Sequence, residues 1–486
     1  SGSGDYAAVD YLTGVTNGIG HRSQWRYKPL SSATNSAGQA FYQTDHDYQG
    51  EGYIHFASSL YAVQAFGQSD GIGGLSNMEY AYEGAMYHLQ GRGFTGFRTL
   101  VQKDTARNKI TTSVFEQKFP RVSQLLSQST TVVDSTGQDR TTIATLTNTW
   151  ADNPQHSISN VAHWLNSQSV QSRFDLAGNA LSQTTQTVAL SRVDTWGNIG
   201  KTTTTVTDYL GDEQQNRYQT VRETTFIPDA EKGWVNKFSQ VKTTTSVLQR
   251  GWTDDPRQTI GDSQWQLLTV NKWHTSHQVP SKTTLTASGS SCARVDETVF
   301  NDYGLATSVT QTGQSQTCAA LRARTTQFSY ATAGYLPTTV SNAKAHVTSF
   351  SYDSGFGVAT QVTAPNNLVT QTTLDAIGRP LSVTSSGLPT QYSRYLLASD
   401  GSHAPTHAVL MTRAQSAGTP IQESYNDSLG RPLRGAVAGF DGSYQYADKS
   451  YDNLGHLLKA SQPYTAGLTP YTTTFGGFDS LDRPTW

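Results

Sequence analysis

Eight aspartates stand in nearly the same local phrase, each with an aromatic or aliphatic residue shortly before it: Asp175, Asp194, Asp302, Asp353, Asp375, Asp427, Asp452 and Asp479. Paired carboxylates are the acid and base of glycoside hydrolysis, so recurring aspartates are the first chemistry to weigh. Their neighbours offer a second account. Glycine follows at Gly178, Gly197, Gly304, Gly355, Gly378, Gly430 and Gly455, and Asp482 takes that place after Asp479. Asp bonds the backbone two residues on and glycine adopts the positive φ of a tight reversal, so Asp-x-x-Gly builds a turn without any reaction. In most copies the next residue is Asn, Arg or His, as in Asn179, Asn198, Arg379, Arg431, His456 and Arg483.

Other motifs are weaker. Thr195-Trp-Gly197-Asn-Ile-Gly200-Lys201-Thr202 imitates a phosphate-binding loop, but threonine holds the first glycine position and a Thr-rich strand follows where a helix is required. Asp45-His46-Asp47 offers metal-ligand types with no further His or Cys at zinc spacing nearby. His274 and His277, read on a strand, face opposite sides and cannot readily share one ion. No Gly-x-Ser-x-Gly, His-Glu-x-x-His or Cys/His nucleophile signature occurs. The expectation is a non-enzymatic chain with no cofactor and no metal.

The segments that must carry these turns alternate and are rich in β-branched residues, as in Lys201-Thr-Thr-Thr-Thr-Val206 and Leu381-Ser-Val383-Thr. They read as strands, so each phrase is the tip of a β-hairpin. Spacings between aspartates of 19, 22, 25 and 27 residues leave room for two strands and two turns per unit. That drift in length suits an antiparallel strip better than a strict solenoid. The expected fold class is all-β, a long curled antiparallel sheet of hairpins, with little helix because no stretch of ten or more residues shows helical periodicity with caps.

The aromatic-Asp-x-x-Gly-Arg/Asn core, recurring from about residue 170 to the end, resembles the YD repeats of the Rhs family and of the insecticidal Tc toxins. Upstream, Tyr11-Leu-Thr-Gly-Val-Thr-Asn17-Gly-Ile-Gly20, Gly71-Ile-Gly-Gly74 and above all Gly91-Arg92-Gly93-Phe94-Thr-Gly96-Phe97-Arg98 resemble the middle region of the Tc toxin B component. The resemblance implies a hollow or partial shell that holds a toxic C-terminal polypeptide until delivery, with other toxin-complex subunits as partners and a secreted or cell-surface bacterial location. It divides the chain into a β-rich region at 5–165 and a YD-repeat shell at 166–486. Ser1-Gly-Ser-Gly4 reads as a cloning scar. No propeller precedes Tyr11, and the chain stops at Trp486 within a repeat, before any autoproteolytic plug or toxin domain, which reads as a C-terminally truncated fragment.

Bulk properties bound the alternatives. A chain of 486 residues exceeds the ~250 to 300 at which single cores stop growing, so a repeat architecture or several domains is required. Charged residues make up 15%, well under the usual ~25%, with Thr, Ser and Gln in their place. A net charge of −2 without a Lys/Arg run disfavours nucleic acid and anionic membranes, and no window approaches ~18 apolar residues, so no membrane-spanning helix is expected. The 24 Tyr and 9 Trp allow a competing reading, a cell-surface adhesion scaffold of the teneurin type that binds a glycan or receptor; the plainer account packs Tyr352, Tyr425 and Tyr451 between strands. Cys292 and Cys318 in a simple meander lie about two strand spacings, ~9.6 Å, apart, too far for a disulfide. A loop folding back near the strand ends would allow a bridge, as a secreted protein permits.

Overall fold

A computed structural model describes residues 11–32, 40–45, 52–133, 140–156, 162–209, 215–250, 260–290, 292–313, 322–331 and 334–485. The fold is all-β: thirty-three strands among the described residues, with helical content confined to 3-10 turns at Leu190–Arg192 and Ala398–Asp400. The described strand pairs are antiparallel, save the two-residue strand Tyr42–Gln43 laid parallel on Leu75–His88.

By compactness the chain forms two units that do not follow chain order. One comprises Ser1–Thr145, Leu176–Gly178 and Pro389–Trp486; the other comprises Leu146–Asp175 and Asn179–Leu388.

In the second unit the strands from Trp164–Phe174 to Pro380–Ser385 pair in chain order, each antiparallel to the next. Threonine dominates them. Strand Lys201–Tyr209 sets Thr202 opposite Val188 on one side and Thr203 opposite Val221 on the other, cross-strand pairs of the β-branched type that stabilise a pleated surface. Most of its side chains are neither buried nor fully exposed, and no buried hydrophobic cluster forms among the described residues of this unit. Its strands are held by ladder hydrogen bonds and by contacts among threonines.

The first unit holds both hydrophobic clusters. Leu30, Phe41, Tyr42 and Ala85 form one, with Tyr82 and Phe97 packed against it. Ala398, Met411, Tyr425 and Ala436 form the other. Strand residues Tyr42, Ala85, Met411, Tyr425 and Ala436 supply most of both, completed by Leu30 and Phe41 just outside strands and by Ala398 of the 3-10 turn.

Candidate functional site

Six of the eight aspartates, Asp479 among them, build one constellation. In the fullest form, the Asp Oδ1 accepts the backbone N–H groups two and four residues on, and Oδ2 accepts the side chain four residues on. At Asp194 the donors are Trp196 N at 2.9 Å, Asn198 N at 2.9 Å and Asn198 Nδ2 at 2.8 Å. At Asp427 they are Leu429 N at 2.9 Å, Arg431 N at 2.9 Å and Arg431 Nε at 2.6 Å. Asp375 receives Ile377, Arg379 N and Arg379 Nε in the same way; Asp452 receives Leu454, His456 N and His456 Nδ1; Asp479 receives Leu481, Arg483 N and Arg483 Nε. Asp175 bonds Asn179 N and Nδ2. This geometry explains why the fifth residue is Asn, Arg or His: it must return a donor to the carboxylate. Gly178, Gly197, Gly378, Gly430 and Gly455 hold φ between 79° and 90° at the fourth position, the left-handed region glycine enters without a Cβ penalty. Asp482 occupies that position with φ 63°.

Two turns differ from the sequence register. At 301–305 the acceptor is Asn301, bonded by Tyr303 N at 3.1 Å and Leu305 N at 3.0 Å, and Asp302 is the second residue, with Gly304 at φ 77°. An amide oxygen serves a turn of this kind as well as a carboxylate does. At Asp353 the left-handed residue is Gly357, φ 66°, while Gly355 N donates to Asp353 Oδ1 at 2.9 Å, so this turn is one residue longer. The same turn occurs outside the aromatic-Asp phrases, at Asn17, Asp70 and Asn342. An Asn or Asp with a glycine three residues on was the available signal at Asn17-Gly-Ile-Gly20 and Asp70-Gly-Ile-Gly73; Asn342 has Ala345 there, at φ 59°.

Turns alternate between the two edges of a meander, so those after every second strand share an edge. Along one edge of the second unit they touch in sequence, forming a rim. Asn153 Nδ2 donates to the Asp194 carbonyl at 2.9 Å, and His163 lies over Gly197 so closely that a Cβ there would overlap its ring. Asn198 Nδ2 donates to Val235 O at 2.7 Å, Lys232 Nζ to Thr275 O at 2.9 Å, and His277 Nε2 meets Asp302 O at 3.0 Å. Tyr303 and Tyr335 meet edge to face at 6.4 Å, Leu336 packs on Gly357, and Phe356 packs on Gly378. Several of these glycines therefore serve twice, for φ and as a seat for the neighbouring turn.

In the first unit a rim of this kind is covered. Arg431 NH2 donates to the Asp70 carbonyl at 2.6 Å, and Gly71 sits against Arg431 and Asp427 with no room for a Cβ. Arg107 Nε donates to Asp482 at 3.0 Å, its NH2 to Leu454 O at 3.0 Å, and Lys109 Nζ to Asp482 at 3.2 Å. His456 bridges Asp452 and Asp482 through its two ring nitrogens and stacks on Phe478 at 4.0 Å. The turns at 70–74 and 104–109 thus form a seam with those at 427–431, 452–456 and 479–483.

Behind the seam lies a polar core. Glu423, almost fully buried, accepts Arg413 Nε at 2.9 Å and Tyr425 OH at 2.7 Å; burial and this carboxylate both push the Tyr425 phenol up. Arg434 grips Asp448 with two bonds of 2.7 Å, and Tyr464 OH adds a third at 2.7 Å. Burial alone would raise the Asp448 carboxyl, but the hydrogen bonds from Arg434 and Tyr464 outweigh it and hold it below its ordinary value. A cavity of about 470 Å³ opens nearby between Pro405, His407, Leu433, Tyr451 and Pro470.

The upstream motif forms a second turn system. Gly91, Gly93 and Gly96 all have positive φ, and Arg92 lies over the Phe119 ring at 3.4 Å. Phe94 and Phe97 meet edge to face at 5.4 Å, and Phe97 packs on Tyr82 at 4.5 Å. Gln117 Nε2, buried, donates to the carbonyls of Gly84 at 2.6 Å and Gly96 at 2.8 Å, where the ladder is bulged.

The remaining chemical motifs dissolve into structure. Residues 195–202 run from a turn into the strand Lys201–Tyr209, with Lys201 paired to Glu223 at 3.3 Å. His274 and His277 lie in a loop rather than on a strand; their rings stack at 4.8 Å and His274 Nδ1 accepts the N–H groups of Ser276 and His277. Asp45 accepts Arg98 Nε at 3.0 Å, while His46 and Asp47 lie outside the described residues. No trio of His, Cys, Asp or Glu is placed to hold a metal among the described residues, and no helix there is long and apolar enough to cross a membrane. Cys292 precedes the strand Arg294–Phe300; its sequence-proposed partner Cys318 lies outside the described residues.

Residues 3–123 match the family model of the insecticide toxin TcdB middle/N-terminal region. No curated protein matches the chain. Among solved structures, the crystal structure of TcdB2-TccC3 aligns with a TM-score of 0.64 at 13% identity, over 96% of this chain and 32% of that one. The TcdB2-TccC3-Cdc42 crystal structure aligns at 0.67 and 11% identity, over 97% and 35%. A Photorhabdus luminescens Tc holotoxin pore carrying a TccC3 mutation aligns at 0.67 and 12% identity, over 98% and 34%. The chain thus has a TcdB-like first part and, along nearly its whole length, the fold of these Tc toxin chains, of which it spans 32 to 35%.

Proposed function

We propose that this TcdB-like chain is a stretch of the β-sheet shell of a Tc-type toxin, and that the shell keeps a toxic C-terminal polypeptide out of contact with its surroundings until delivery. The observation that carries the reading is the fold likeness to the TcdB2-TccC3 chains along 96% of this chain, joined to the TcdB match at residues 3–123. Its partners are then the passenger and other toxin-complex subunits, and its site of action is outside the producing cell.

Two physical features support it. A sheet rich in Thr and poor in charge makes a wall that presents an unfolded passenger with few strong electrostatic contacts. A sheet strip that seams one row of turns to another, as at Arg431 and Asp70, ties distant stretches of the strip together through charge-assisted hydrogen bonds. The role is mechanical rather than catalytic: the recurring aspartates are occupied by their own turns.

Electron microscopy of the purified chain tests the reading. A wall one sheet thick that curves about a void supports it, and a compact particle without a void overturns it.

A further inference from the structure

We propose that the cavity of about 470 Å³ in the first unit is a binding site for a small ring-bearing monocarboxylate, with Lys459 as the cation that receives the carboxylate. The site does not depend on the shell reading, because its lining comes from Ile72 and from residues 405–472, all within one unit.

The segment that follows the 3-10 turn Ala398–Asp400 lies over the strand face that carries Arg434, Tyr446 and Asp448. There the His403 ring meets Tyr444 and Tyr446, and its carbonyl accepts Arg434 NH1 at 3.1 Å. Farther along, Pro405 and His407 border the cavity, which opens against strands Tyr444–Tyr451 and Leu457–Ser461. The ladder sets Lys459 opposite Ser450. Side chains two residues apart share a face, so Asp448, Ser450, Lys459 and Ser461 form one floor. His407 holds φ 69° and its ring lies against Gly73. That left-handed conformation costs a residue with a Cβ energy, and such residues concentrate where ligands are held.

Charge selects the ligand. Asp448 is the carboxylate that borders the cavity, and Arg434 and Tyr464 already fill it with three bonds of 2.7 Å. Lys459, His407, Ser450 and Thr472 have no side-chain hydrogen bond or ion pair among the described residues. Ser461 Oγ accepts Asp448 N at 2.8 Å and keeps its own proton to donate. An ammonium among hydroxyls suits an anion. Lys449 borders the cavity too, but it stands opposite Ala460 and so belongs to the other strand face, which leaves one cation on the floor and fits a single negative charge. The body of the ligand is set by Leu433, 5% exposed, with Pro405, Pro470 and the Tyr451 ring, apolar surfaces against which a ring packs. Small-molecule sites span roughly 300–1,000 Å³, a range that includes this cavity.

The test titrates the full-length polypeptide that carries this chain with 4-fluorophenylacetate and follows the probe by fluorine NMR. The neutral 4-fluorophenylacetamide and plain acetate, offered as a competitor, separate the charge from the ring. The expected result is saturable binding of the acid that Lys459→Gln weakens about tenfold, the loss of one charged hydrogen bond. Lys459→Arg, which keeps the charge, should restore most of it, and Lys344→Gln in the second unit should leave it unchanged. The amide should bind far more weakly, and acetate at the probe's own concentration should not displace it. Absence of saturable binding, equal binding of the amide, displacement by acetate, or a Lys459→Gln variant that binds as the parent does overturns the inference. So does a Lys459→Arg variant that binds no better than Lys459→Gln, which would assign the loss to altered packing rather than to charge.

Discussion

Arg431 binds Asp427 four residues before it, Nε to Oδ2 at 2.6 Å, and with another nitrogen bonds the carbonyl of Asp70, 361 residues away. One side chain thus closes its own turn and joins that turn to a distant one. The fifth position of the repeat is where local and tertiary structure meet.

Asp427 is fully buried, accepts two backbone N–H groups and neutralises a guanidinium whose side chain is only 16% exposed. Removing one partner of a buried pair leaves the other uncompensated, typically at a cost of about 3–5 kcal/mol. Asp427→Ala is expected to lower the unfolding midpoint of the first unit strongly, and Asp375→Ala, at a solvent-exposed turn, to lower that of the second unit far less. Calorimetry of the two variants checks the order, and equal effects would reject it.

Gly197 and Gly430 separate the two roles of the turn glycine. Both have positive φ, but a Cβ at 430 meets open space whereas a Cβ at 197 strikes His163. Gly430→Ala should therefore cost about 1–2 kcal/mol of backbone strain alone, and Gly197→Ala more. His163→Ala combined with Gly197→Ala should recover part of the difference, read as a double-mutant cycle in local hydrogen exchange. Strict additivity would show that the contact carries no energy.

Gln117 satisfies two buried carbonyls at the bulge between Gly84 and Gly96. Gln117→Ala leaves both without that donor, and an unsatisfied buried acceptor costs about 1–3 kcal/mol. Denaturant unfolding followed by the fluorescence of the neighbouring aromatic cluster is expected to shift to lower denaturant. An unchanged midpoint would mean that another donor replaces the amide.

The seam should loosen in acid. Burial alone would raise the Asp482 carboxyl, but the hydrogen bonds and charges of Arg107 and Lys109 outweigh it and hold it below its ordinary value. A depressed folded value means fewer protons bound in the folded state. The stabilisation is therefore present above the unfolded value of ~3.9 and is lost as pH falls through the folded value. Asp104, Asp452 and His456 face the same cluster. Hydrogen exchange at the amides of residues 454–456 should accelerate as pH falls from ~5 toward the folded value, after correction for intrinsic rates, and Asp482→Asn should flatten that acid limb. An acid limb of equal size in the variant would remove Asp482 from the account.

The chain's sequence by itself determined that it is all-β and where most of its reversals fall, because Asp or Asn, a left-handed fourth residue and a returning donor form a turn from five adjacent residues. Local chemistry of that kind needs no distant partner. It failed where chemistry was shared or shifted: Asn301 took the place read for Asp302, and Asp353 closed a longer turn through Gly357. Only the tertiary structure decided that residues 389–486 group with 1–145, that Gly71 and Gly197 are seats for a neighbour, and that Arg107 belongs with Asp482. Those pairings span up to 375 residues and follow from which turns share an edge and what comes to rest against it, which strand registers settle and local residue patterns do not contain.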